Sequence, residues 1–166
     1  MMRDYRISNF EFNFLAPPPR PVALIGRTTH FSQENPMGLN ERRKIEELKN
    51  TTFPARVKEI EEICGKPVPY EVDWDSLAAD GEALNFIDNV SCHRLNMALR
   101  TICRDAMGKE AVRDGLKLVK LKNVPDAAMR KLSFESGVLE MTCSYAHRLD
   151  GAFPDQEICS LLTSKL

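Results

Sequence analysis

The 166-residue sequence predicts an α+β domain: an antiparallel sheet with a C-terminal three-strand meander, covered on one face by amphipathic helices. Three observations carry this. Residues 116–146 break into three consecutive strand-like segments, Leu116–Val124, Met129–Glu135 and Val138–Ala146. In the last, Leu139, Met141, Cys143 and Tyr145 alternate with Glu140, Thr142 and Ser144, a period of two that gives one apolar and one polar face. Elsewhere apolar residues return every three or four positions, as Phe53, Val57, Ile60 and Cys64 do, and as Leu95, Leu99, Ile102 and Ala106 do.

Residues 1–39 read as an extended N-terminal arm and residues 40–166 as a single α+β domain. In the arm Phe10, Phe12 and Phe14 alternate with Glu11 and Asn13, which suits a half-buried edge strand. Pro17, Pro18, Pro19 and Pro21 then impose an extended, stiff conformation. Val22–Gly26 is a short apolar piece without the second glycine and lysine of a phosphate loop. Three phenylalanines need a surface to bury against. The arm is therefore expected to dock on its own domain or on a second copy, making a homodimer.

Asn40 is placed to cap a first helix that runs to Lys49. Thr51-Thr52-Phe53-Pro54 reads as an interruption, with a second helix from Pro54 that stops at Gly65. Val68, Tyr70, Val72 and Trp74 then alternate with polar residues and predict a strand over 67–74. Pro69 puts it at an edge or makes its start irregular. Glu82–Val90 fits a helix or a turn. A long helix is expected from Ser91 or Cys92 to Met107, ending at Gly108, and a short one over Lys109–Asp114. Gly137 supplies the positive φ of a bulge-type hairpin turn between the last two strands. A final helix starts near Pro154-Asp155 and carries Ile158, Leu161, Leu162 and Leu166. Leu132, Phe134, Leu139, Met141 and Tyr145 should pack on Leu95, Leu99, Ile102, Ile158 and Leu162.

A formal net charge of −1 argues against nucleic acid or an anionic membrane as partner. No apolar run approaches the roughly 18 residues of a membrane span, and Met1–Tyr5 lacks a signal-peptide core. Five widely spaced cysteines without a Cys-x-x-Cys pair exclude zinc-site and thioredoxin-like motifs, so reduced thiols in a cytoplasmic protein are expected. The charges are divided. Residues 67–92 hold six acids and no Lys or Arg, whereas residues 94–131 hold ten basic residues and four acids. Lys120 and Lys122, beside Arg130 and Lys131, could form a patch for an anion or an acidic partner, or could simply face the acidic segment. The patch lacks the interleaved aromatics of a nucleic-acid surface.

Candidate chemistry is sparse. Cys92 at a helix start would have a lowered thiol pKa and would react fastest of the five, with Cys103, Cys143 and Cys159 slow on their apolar stripes. His93 diverges from Cys92 by about 100° on a helix, so His30 or His147 would have to act as base. The loop from Ala146 to Gly151 combines His147, Arg148 and Asp150, a base, a cation and a carboxylate. Asp73 and Asp75 on one strand face are too few to hold a hard cation, so no metal site is expected. The expected function is protein binding, as an adaptor or regulatory domain without cofactor, through the four basic residues, Arg148 and the three arm phenylalanines. The alternative is a cysteine-dependent or acid/base hydrolase built on Cys92, His147 and Asp150.

Overall fold

The computed structural model describes residues 38–78 and 80–166. Phe10, Phe12, Phe14 and the proline run, with the arm-mediated homodimer inferred from them, lie outside the described residues.

The two expected N-terminal helices are one. α1 (Leu39–Glu47) passes through a π turn (Leu48–Thr52) into α2 (Phe53–Cys64). Pro54 does not break it. A proline removes one N–H and crowds the carbonyl four residues back. Here the turn before it is widened, and the Phe53 N–H reaches back to the Leu48 carbonyl. Gly65, at φ 81°, ends α2 as expected.

β1 is only Tyr70–Val72. The expected strand through Trp74 stops early because Asp73 caps the next helix, α3 (Trp74–Ala78), accepting from the Ser76 N–H at 3.1 Å. Asp73 and Asp75 therefore do not share a strand face. Asp80 then caps α4 (Gly81–Ile87), its Oδ1 accepting from Glu82 N and Ala83 N. A second π turn (Asp88–Cys92) joins α4 to α5 (His93–Ile102). Residues 82–90 are thus helical, and the long helix ends five residues before Met107. α6 (Ala106–Gly115) starts anew behind Asp105, whose Oδ1 accepts from Gly108 N at 2.7 Å. Gly108 is in the first turn of a helix, not a stop.

The sheet contains β2 (Leu118–Asn123), β3 (Lys131–Glu135) and β4 (Val138–Cys143). It is mixed, in the order β1-β2-β4-β3, with β1/β2 and β2/β4 parallel and only β3/β4 antiparallel. The meander does not form, because β4 takes the place beside β2. Leu139, Met141 and Cys143 on β4 are fully buried, whereas Leu132 on β3 is only half-buried, and Lys131 and Glu135 are exposed. The strand with the wholly apolar inner face occupies the centre, and the polar one the edge. The link Val124–Arg130 is long enough to cross the end of β4, and Val124 N donates to Cys143 O at 2.9 Å. The β3–β4 turn is a two-residue type I′ turn rather than a bulge, with Ser136 and Gly137 at φ 53° and 85°.

Buried Asn123 locks this arrangement. Its Oδ1 accepts from Tyr145 N at 3.2 Å, its Nδ2 donates to Ser76 O, and its own N–H donates to Ser76 Oγ at 3.0 Å. It thereby ties the end of β2 to the exit of β4 and to α3. α7 (Asp155–Lys165) packs on α5. The strand and helix residues expected to form the core do so as one cluster, with Ile102 and Leu132 at its margin. No described helix is long and apolar enough to cross a membrane.

Candidate functional site

The site with the clearest surface chemistry is an apolar groove of about 480 Å³ where α5, α6 and α7 meet. α5 ends at Ile102, the chain turns through Cys103–Asp105, and α6 sets off behind the Asp105 cap. Gly108 lets α6 come this close, since a Cβ there would run into the Ile102 carbonyl. Ile102, Ala111, Cys159 and Leu166 line the groove and are each half-buried. Met107 stands over it, 77% exposed. The one acidic side chain in the lining, Asp105, is engaged as the α6 cap. The groove is thus built for apolar contact, not for proton or electron transfer. A hollow of about 370 Å³ on the uncovered face of the sheet differs sharply. It is lined by Glu71, Asp73, Lys120, Lys122 and Glu140.

Cys92, His147 and Asp150 share no side-chain hydrogen bond, and His30 lies outside the described residues. Cys92 lies in the middle of the helix spanning residues 81–102, on the π turn, and is fully buried. Burial pushes its thiol far up, Asp88 adds to this, and Arg56 opposes it. The expectation of a helix-start thiol with a lowered pKa is therefore corrected: Cys92 sits inside a continuous helix, eleven residues past its start at Gly81. His147 belongs to a short helical turn after β4, where its Nδ1 lies 2.7 Å from Ser144 Oγ. Ser144 is itself fully buried. Asp150 meets His147 through backbone alone, its N–H donating to the His147 carbonyl at 3.1 Å. Among the described residues no group of three or more His, Cys, Asp or Glu could hold a metal ion.

The basic residues also separate. Lys120 pairs with Glu71 at 2.9 Å and Lys122 with Asp73 at 3.8 Å across the uncovered face. The acidic and basic segments thus face each other. Arg130 donates to the Asp150 and Ala152 carbonyls, each at 3.0 Å, and lies 5.3 Å from the Phe153 ring, clamping the loop before α7. Lys131 is exposed beside it at the sheet edge. Arg148, at φ 51°, stacks 4.4 Å from the Phe86 ring and reaches Glu82 at 3.8 Å.

Sequence reasoning missed the groove because it continued α5 through Met107. The signal was present in Asp105, three residues before Gly108, a capping spacing. It also missed the pairing of the two long helices. Arg56 binds Asp88 through two hydrogen bonds, at 2.7 and 2.8 Å, and Glu59 at 2.8 Å; Glu59 accepts from Arg100 at 2.8 Å. No family model, curated protein or solved structure matches the chain.

Proposed function

We propose that this domain acts by binding another protein, and that the groove between α5, α6 and α7 is where the partner seats. The observation that carries the reading is Met107, a large unbranched apolar side chain left 77% exposed above a lining of Ile102, Ala111 and Leu166. A methionine is adaptable and polarisable, and such side chains are used at surfaces that repack around a partner. A groove flanked by helices suits the apolar stripe of an amphipathic helix. Five free cysteines agree with a cytoplasmic setting, and the reading needs no cofactor. The cysteine-dependent form of the hydrolase alternative has less to rest on, since Cys92 is sealed from solvent.

Photo-crosslinking from a benzoylphenylalanine placed at position 107 tests this. One protein species should be captured, and Ala111→Glu should abolish its capture without changing the melting temperature. Crosslinks that scatter over many species, or that survive Ala111→Glu, would sink the reading. Sedimentation of the full chain decides separately whether a second copy is that species.

A further inference from the structure

We propose that Cys64 and Cys103 form a reversible intramolecular disulfide that staples the C-terminal end of α2 to the C-terminal end of α5. The proposal does not depend on the protein-binding reading. The two Sγ atoms lie 2.9 Å apart, and both side chains are buried. A disulfide needs about 2.05 Å, so a movement of under about 1 Å joins them. Both residues sit where the backbone can supply it. Cys64 is the last residue of α2, directly before Gly65 at φ 81°, and Cys103 caps α5 where the chain leaves the helix. The other thiols have different surroundings. Cys143 lies 3.9 Å from Ser91 Oγ, Cys159 lies 3.9 Å from Thr163 Oγ1, and Cys92 is fully buried. The pair is not part of a metal centre, since no third ligand joins it among the described residues.

The chemistry balances with a peroxide as oxidant. A thiolate attacks one peroxide oxygen, the O–O bond breaks, and one water leaves, giving a sulfenic acid. The second thiol attacks that sulfur and expels the second water. Two thiols and one hydrogen peroxide become one disulfide and two waters, and a dithiol reverses it. Burial raises both thiols while Lys109 opposes it for both, so oxidation should be slow and gated by local opening of the helix ends.

The test uses the full chain, oxidised while folded with hydrogen peroxide, cleared of peroxide with catalase, and then unfolded in guanidinium chloride that contains the alkylating agent, against a dithiothreitol-treated control. The oxidised chain should lose about 2 Da and keep three alkylatable thiols out of five. Digestion with trypsin and a glutamate-specific protease should yield residues 63–71 linked to residues 101–104, released by dithiothreitol. In Cys103→Ser the 2 Da loss should disappear. Five alkylatable thiols after oxidation would overturn the proposal. So would a link involving any other cysteine, or a Cys64–Cys103 link that forms only in urea.

Discussion

Replacing Glu59 by Gln removes one charge from the network that joins the two long helices and keeps the side chain's shape. Glu59 accepts from Arg56 and Arg100, each at 2.8 Å. Burial acts to raise its pKa; the hydrogen bonds from Arg100 and Arg56 overcome this and lower it from 4.5 to about 2. That difference corresponds to at most about 3 kcal/mol at neutral pH. The side chains of Glu59, Arg56 and Arg100 are 23%, 21% and 54% exposed, so solvent screens the pairs. The expected loss is then about 1–2 kcal/mol. Because the folded pKa is the lower one, this stability is fully present above pH 4.5 and is lost as pH falls through 2. Urea melts of wild type and Glu59→Gln, followed by fluorescence of the single tryptophan, Trp74, measure it. The variant should be weaker at pH 7, and the two curves should converge between pH 4.5 and 2, whatever the other carboxylates do to both. A deficit below about 0.3 kcal/mol at pH 7, or one that persists unchanged at pH 2, would refute the reasoning.

Gly137→Ala should cost about 2 kcal/mol or more, since φ is 85° and the added Cβ would lie 2.7 Å from the Gly115 carbonyl; a neutral result in denaturant melts would mean the turn is not type I′. Asn123→Ala should cost about 2–4 kcal/mol by stranding the Tyr145 N–H and the Ser76 carbonyl, and a loss below about 1 kcal/mol would show that β2 and β4 do not depend on it. In the folded, reduced chain Cys159, half-buried, should react first with a thiol reagent, while Cys92 and Cys143 (the latter pushed up by burial to about 11) should lag. Mass-resolved labelling that finds Cys92 first would restore the nucleophile reading.

Local periodicity in the sequence determined which residues turn inward. The alternation of Leu139, Met141 and Cys143, and the helical spacing of Leu95 and Leu99, are imposed by backbone geometry within a few residues, and those side chains share one buried cluster. The stop at Gly65 and the start of α7 were legible for the same reason, since each depends on one residue's own conformational range. A period of two names the inner face of a strand but not its neighbour. That β4 rather than β3 lies beside β2 was settled by competition for the buried central position, a contact between segments that the pattern of neither one encodes. Pro54 looked like a break because the widened turn that accommodates it is held in place by packing. Cys92 looked reactive because its burial comes from the packing of its helix into the core, not from its immediate neighbours. The groove at α5, α6 and α7, and the meeting of Cys64 with Cys103, likewise exist only once helices remote in sequence are brought together by the core they share.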